Sequence, residues 1–181
     1  MGLNLVRTDS VRDRRLASSG ITPPRDWGDV EQVRAAKLAQ LSVACGEVIT
    51  AGFDIELDGK MEHFDLRVED QNNIDSLFDL VKLGGTEFPY QADGGRCRFY
   101  TAREIVQIFI KSKISITAQT TYHNALKEYV QGLDDAEVIA AAQYGMDLPE
   151  PFASKVSDTL ARASAQMSAV LAAMGGDTNA V

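Results

Sequence analysis

The stretch TAREIVQIFIKSKISITAQTTYHNALKEYVQGL, residues 101–133, carries the longest continuous helical pattern in the chain. Thr101 and Glu104 have the spacing of a capping box, in which each side chain accepts a backbone N–H at a helix start. Gly132 is a suitable stop. The β-branched residues of Ile110–Thr121 lower helix propensity, so the stretch predicts either one long helix or two helices with a break between them. Its apolar residues recur at steps of three and four on one helical face: Ile105, Ile108, Phe109, Tyr122, Leu126, Tyr129 and Val130.

Four other segments have a helical period of apolar residues or a helix cap. A helix over Val30–Ala51 follows the N-cap residue Asp29, and a helix over Val68–Leu83 precedes a pair of glycines. A short helix runs from Asp134 or Asp135 through Ala142, and a final one covers Phe152–Met174.

Two segments alternate with the period of a strand. Phe53–Asp58 alternates apolar and acidic residues, Asp58-Gly59 is a hairpin turn, and Met61–Leu66 returns as the second strand. A second hairpin joins Glu87–Tyr90 to Arg96–Tyr100. The chain is therefore predicted to be α+β, with small antiparallel hairpins packed with several helices, and residues 29–152 as the domain. Five acidic residues are expected on the solvent face of the first hairpin: Asp54, Glu56, Asp58, Glu62 and Asp65.

The composition excludes several classes of protein. A formal net charge of −8 over 181 residues does not favour nucleic-acid binding. No apolar run reaches the ~20 residues of a membrane helix, and the N-terminus lacks a signal-peptide core, so the cytosol is the predicted site of synthesis. The two cysteines have no paired spacing, and the acidic residues lack the spacing of a calcium loop. We therefore predict no metal and no cofactor.

His123 is the residue that most invites a catalytic interpretation, because it follows Thr121 and Tyr122. A nucleophile elbow of the form Gly-x-Ser-x-Gly does not occur in the chain. With two histidines and no coupled motif, the sequence predicts no catalytic residues and no enzyme.

Residues 1–28 contain five arginines against three aspartates, and no apolar period that supports a helix or strand. We predict an extended N-terminal arm, either solvated or held by another chain. Arg12, Arg14 and Arg15 are its candidate contacts with an acidic partner. Trp27 closes the arm, either as a staple against the core or as a platform for a ligand.

Residues 153–181 are predicted as an Ala- and Ser-rich helix with a frayed tail. Leu160, Ala163, Met167, Val170 and Met174 follow at steps of three, four, three and four, which is heptad spacing over about two heptads. This stripe packs either on its own domain or on another chain. We take Leu160, Met167, Val170 and Met174 as candidate partner contacts.

The order of these elements resembles an uncharacterised domain family of tailed bacteriophages and prophages, found in or near tail, tail-fibre and tail-fibre-assembly proteins. The resemblance covers about residues 33–152 and is carried by several short motifs: Ala35-Ala36-Lys37-Leu38, Glu69-Asp70-Gln71-Asn72-Asn73-Ile74, Pro89-Tyr90, Asp93-Gly94-Gly95, Thr120-Thr121-Tyr122-His123-Asn124-Ala125-Leu126, Tyr144-Gly145 and Leu148-Pro149.

This resemblance implies a structural subunit of a tail, baseplate or fibre attachment that assembles with other tail or fibre proteins. A homo-oligomer or symmetric assembly, first in the host cytoplasm and then in the virion, is the expected setting. Two alternatives stay open. One is a tail-fibre assembly chaperone that is absent from the mature particle, and the other is a small phage-encoded hydrolase.

Overall fold

The computed structural model describes residues 5–177, and the side chains of residues 11–170 and of Ala172 within them. This part of the chain forms six helices and two antiparallel two-stranded sheets, so the α+β class is confirmed. Within the described residues, no helix is long and apolar enough to span a bilayer. In chain order the elements are α1 (Leu5–Ser18), α2 (Val30–Thr50), β1 (Phe53–Leu57), β2 (Lys60–Phe64), α3 (Val68–Lys82), β3 (Glu87–Tyr90), β4 (Arg98–Thr101), α4 (Ala102–Gln131), α5 (Ala136–Ala141) and α6 (Phe152–Asp177).

Helix α4 is one unbroken helix of 30 residues, which decides between the two alternatives for this stretch. The predicted capping box is present at its start. The backbone N–H of Thr101 donates to Glu104 Oε2 at 2.8 Å, and the N–H of Glu104 donates to Thr101 Oγ1 at 3.3 Å. Ile116, in the β-branched run, packs against an apolar core. Tertiary packing of this kind outweighs the small loss of helix propensity.

The chain divides into two compact units. The first contains the residues up to Gly46 together with Thr120–Ser157, and the second contains Glu47–Gln119 together with the residues from Asp158 onwards. Helices α2, α4 and α6 each contribute residues to both units.

The first unit is helical. Its main core joins residues of α2, α4 and α5, and two long side chains of α2 form hydrogen bonds to backbone carbonyls outside α2. Arg34 Nη2 donates to the carbonyl of Leu133 at 2.6 Å, and Lys37 Nζ donates to the carbonyl of Ala142 at 2.8 Å. The buried members of this core are Val33, Leu41, Leu126, Val130, Ile139 and Ala142.

Helix α1 corrects the expectation of an extended arm without regular structure over residues 1–28. Residues Leu5–Ser18 are helical, and Leu16 and Ile21 are buried with Ala36 of α2. Trp27 Nε1 donates to Asp13 Oδ1 at 3.0 Å. An isolated helix of this length is marginal in water, so contacts with α2 stabilise it, and the sequence period does not reveal them.

The second unit contains both hairpins and helix α3. The turn Asp58-Gly59, with both φ angles positive, sets a register in which Phe53 pairs with Phe64 and Leu57 with Lys60. Its core joins both sheets with α3 and α4. The buried members are Phe53, Leu57, Phe64, Leu66, Ile74, Phe88, Ala92, Tyr100, Ile105 and Ile108.

Glu62 departs from the predicted solvent face of the first hairpin, since only 5% of it is exposed. The register pairs Glu62 with Ile55 and Met61 with Glu56. Residues opposite one another in a sheet share a face, so Glu62 points to the same side as Ile55. Met61 takes the outer face and is 63% exposed.

Candidate functional site

A cavity of about 550 Å³ in the first unit brings together three of the residues that the sequence analysis selected. Arg12 and Arg15 reach it from α1, and Trp27 reaches it from the segment before α2. Lys37 of α2 and Tyr144, which follows α5, line the same cavity. Among the described residues that line it there is no carboxylate. Its remaining walls are apolar or uncharged: Leu16, Val33, Ala36, Gln40, Leu41, Ala44, Ala140, Ala141, Ala142 and Gln143.

The position of Arg12 depends on Trp27. Its guanidinium carbon lies 5.3 Å from the centroid of the indole ring, within the range of a cation–π contact. Glu137 Oε2 lies 3.7 Å from Arg12 Nη2, but the two side chains are 43% and 76% exposed, so this ion pair contributes little. Trp27 also packs against both apolar clusters of this unit, as a staple does. The ring therefore anchors the segment and forms a wall of the cavity.

Lys37 places a second positive charge near Arg12. Its ammonium donates to Gln40 Oε1 at 2.9 Å and to the carbonyl of Ala142 at 2.8 Å. Burial lowers the pKa of Lys37, and the charge of Arg12 lowers it further. Neither of its hydrogen-bond partners carries a negative charge. The cavity thus concentrates positive charge that its own lining does not neutralise.

His123 lies in the same unit, outside the lining of the cavity. Its Nε2 is 3.4 Å from Ser42 Oγ, while that hydroxyl donates to the carbonyl of Leu38 at 2.9 Å. The Nδ1 atom is buried and has no hydrogen-bond partner among the described residues. Burial lowers the pKa of His123, and Lys127 adds to this effect.

The second unit holds a buried polar network around Arg98. Its Nη2 lies 3.2 Å from Glu62 Oε2 and 2.8 Å from Glu104 Oε1, and its guanidinium carbon lies 3.6 Å from the centroid of the Tyr100 ring. Tyr100 donates its hydroxyl to Glu62 Oε2 at 2.8 Å. Burial by itself would raise the pKa of both carboxyls. Hydrogen bonds from Arg98 and from Lys60, Tyr100 or Thr101 outweigh burial, and both pKa values are lowered.

This network is structural, since every charged member already has a partner.

On the outer face of the hairpin, His63 Nδ1 forms a hydrogen bond with Asp54 Oδ1 at 2.8 Å, and this bond raises the pKa of the imidazole. Across the described residues, no group of three His, Cys, Asp or Glu side chains is placed to hold a metal ion.

Helix α6 carries the second set of predicted contact residues. Its first turn belongs to the first unit, where Lys155 Nζ bonds Glu128 Oε1 at 2.7 Å and the rings of Phe152 and Tyr129 lie 5.7 Å apart. Farther along, Leu160 and Met167 are half-buried and Val170 is 45% exposed. In the described part of the chain, the apolar clusters of both units include none of these three. The side chain of Met174 lies outside those that the structure describes.

The structure thus assembles part of what the sequence selected. Arg12, Arg15 and Trp27 meet at the cavity, whereas Arg14 does not line it. Lys37 lines the cavity as well, although the sequence did not single it out as a binding residue. Lys37 lies near the two arginines because α1 packs beside α2, and the apolar pattern of residues 1–28 did not predict that helix.

Comparison with curated proteins and with solved structures finds no significant match. A family model matches residues 32–145. Because this match covers more than half of the chain, the protein belongs to the DUF4376 family, whose shared region is described as a domain of unknown function.

Proposed function

We propose that this protein is a non-enzymatic structural subunit of a bacteriophage tail, baseplate or fibre attachment, and that it assembles through α6. The observation that carries the proposal is the apolar stripe of Leu160, Met167 and Val170, which no apolar cluster of the described residues covers. The tail setting is supported by the resemblance of the motifs in residues 33–152. Other tail or fibre proteins are the expected partners.

A second copy of α6 is the occupant that best fits this stripe. Steps of three and four keep the apolar residues on one face over the length of the helix, as two-helix packing requires. Between Val156 and Met174 the helix has two charged residues, Asp158 and Arg162, and its other positions are rich in Ala and Ser. Small side chains beside the stripe allow two helices to approach closely.

The size of the stripe predicts weak self-association. Full burial of a Leu, Met or Val side chain contributes ~1.5–3 kcal/mol, and these three are already partly covered, so each gains about 1 kcal/mol. Six such side chains across two helices supply roughly 6 kcal/mol, against an association cost of ~4–15 kcal/mol. The stripe alone therefore leaves at most about 2 kcal/mol, so self-association at the concentrations of sedimentation requires that the Ala side chains beside the stripe are buried as well. Stable assembly requires further contacts with tail proteins.

The test compares Met167→Asp with Ser168→Asp in the full chain. Met167 lies on the stripe, whereas Ser168 is exposed and off it, so the two variants add the same charge one residue apart. We expect wild type and Ser168→Asp to increase in mass with concentration in sedimentation or light scattering, while Met167→Asp stays monomeric. Circular dichroism should show all three folded. Equal masses at every concentration would refute assembly through α6.

Placement in the tail is tested by mass spectrometry of purified phage or induced prophage particles. A fixed ratio of this chain to a major tail protein is the expected result. Absence from particles, with abundant protein in the lysate, would contradict a structural subunit and support the assembly chaperone instead.

A further inference from the structure

The charge of the cavity in the first unit is opposite to that of the protein. The chain has a formal net charge of −8, yet Arg12, Arg15 and Lys37 line one cavity of about 550 Å³. The described lining includes no acidic side chain. Arg12 and Arg15 are exposed to solvent and Lys37 is half-buried, so the apolar walls strengthen the field most near Lys37, because they screen charge less than water does.

The cluster also carries an energetic cost that a bound anion would offset. Arg12 is close enough to Lys37 to lower the pKa of the ammonium, in addition to the effect of burial. The Lys37 ammonium uses two of its three N–H donors on Gln40 and Ala142. Among the described residues, no side chain pairs with the guanidinium of Arg15. An anion in the cavity would accept from these donors and replace repulsion by attraction.

The number of charges selects the chemistry of the anion. A carboxylate would neutralise one of three cations. A phosphomonoester carries about −1.5 to −2 at pH 7 and presents three acceptor oxygens, and the guanidinium fork of arginine matches such oxygens in pairs. We propose that the cavity binds the phosphomonoester group of a small organic molecule of about nucleotide size.

The volume and walls of the cavity account for the organic part of this ligand. Small-molecule sites measure ~300–1,000 Å³, and the cavity lies within that range, well above the size of a phosphate alone. Leu16, Val33 and Leu41 provide apolar surface, and Trp27 and Tyr144 provide rings. A nucleic-acid strand would place many further phosphates against an acidic protein, so a free small molecule is favoured.

Titration of the full-length protein with AMP and with adenosine tests the phosphate requirement. Trp27 is the only tryptophan, so its fluorescence reports on the cavity, and calorimetry gives an independent affinity. We expect saturable AMP binding, with adenosine at least about tenfold weaker, because a hydrogen bond to a charged group contributes ~1.5–3 kcal/mol and 1.4 kcal/mol is a factor of ten. Absence of saturable AMP binding at millimolar concentration, or equal affinity for adenosine, would overturn the proposal.

A matched pair of variants tests the location. Arg14 and Arg15 are both exposed, but only Arg15 lines the cavity, so Arg15→Glu reverses a cavity charge and Arg14→Glu makes the same change outside it. We expect Arg15→Glu to weaken AMP binding at least about tenfold, and Arg14→Glu to leave it nearly unchanged. Lys37→Gln provides a second cavity variant, and thermal melting checks that each protein is folded. Equal losses in the Arg14 and Arg15 variants would show a general charge effect and refute the site.

Two further ligands exclude macromolecular occupants. A poly-glutamate peptide that binds more tightly than AMP would make the cavity a contact for an acidic protein segment. A 5′-phosphorylated oligonucleotide that binds more tightly would make it a contact for a nucleic-acid end. Either result would overturn the small-molecule proposal.

Discussion

Replacing Arg98 with leucine tests whether the buried polar network stabilises the second unit. Arg98 Nη2 lies 2.8 Å from Glu104 Oε1 and 3.2 Å from Glu62 Oε2, while Glu104 and Glu62 are 4% and 5% exposed. The variant Arg98→Leu keeps an apolar stem beside Tyr100 and removes the charge. Both carboxylates then stay buried without their shared cation.

The structure limits the size of the effect. Removing one partner of a buried ion pair costs ~3–5 kcal/mol, because the remaining charge is left desolvated. Here Lys60 and Tyr100 still bond Glu62, and the Arg98 side chain is 36% exposed, so we expect the lower end, about 3 kcal/mol at pH 7. That loss is a large part of the ~5–15 kcal/mol by which domains are stable.

The pH dependence distinguishes an unpaired charge from lost packing. In the wild type, the pKa values of Glu62 and Glu104 are held below the ordinary 4.5, so their stabilisation is present above that value and is lost as pH falls through the lowered pKa. In Arg98→Leu the hydrogen bonds and the charge of Arg98 are gone, so the pKa values of both carboxyls rise relative to the wild type, although Lys60 and Tyr100 still act on Glu62 and Thr101 on Glu104. Protonation then relieves the penalty as the pH falls. The stability difference between the two proteins should therefore shrink from pH 7 to pH 4.

Urea denaturation at both pH values measures this difference. Lys82→Gln is the control, since it removes a surface pair with Asp79 whose side chains are 53% and 66% exposed, and it should cost less than about 1 kcal/mol. A loss in Arg98→Leu no larger than in the control would refute the structural role of the network. A difference that stays constant down to pH 4 would show that lost packing, and not unpaired charge, is the cause.

Three further predictions concern single positions. Gly52→Ala would place a Cβ in steric clash with the carbonyl oxygen of Phe64, at the end of β2. This variant should lower the free energy of unfolding by more than ~2 kcal/mol in urea denaturation. Gly59→Ala has a similar φ but open space around the Cβ, so it should cost about 1 kcal/mol. Asp135→Ala removes the acceptor of two backbone N–H groups at the start of α5, and thermal denaturation should show a loss of ~1 kcal/mol. The hydrogen bond to Asp54 raises the pKa of His63, so Asp54→Asn should lower that pKa in an NMR titration. In the wild type, this pair stabilises the fold below the ordinary pKa of 6.5, and the stabilisation is lost as pH rises through the raised pKa.

Local chemistry explains which elements the sequence predicted correctly. The capping box of Thr101 and Glu104 and the Asp58-Gly59 turn depend on residues within three positions of one another. Such signals do not require knowledge of the rest of the fold. The continuity of α4 required more, because the packing of Ile116 on the core of the second unit is not visible in its local propensity.

The features that the sequence did not reveal depend on distant contacts. Glu62 pairs with Arg98, which is 36 residues away, and only the strand register shows that the carboxylate faces inward. Helix α1 is stabilised by burial of Leu16 beside Ala36, a contact between segments that share no period. The cavity depends on the contact between α1 and α2, so the sequence selected two of its cations without predicting that they meet.

The three cations that line the cavity differ in whether they lie inside the segment that matches the family. Lys37 lies inside the matched segment, residues 32–145, and its partners Gln40 and Ala142 lie there too, so the family domain alone positions the ammonium. Arg12 and Arg15 come from α1, outside that segment. Without α1 this chain would present a single lysine to the cavity, which is too little charge to select a dianion. The stripe of α6 also lies outside the match. Both interactions that we infer therefore depend on the helices that flank the family domain, and a function common to the family would not by itself account for either.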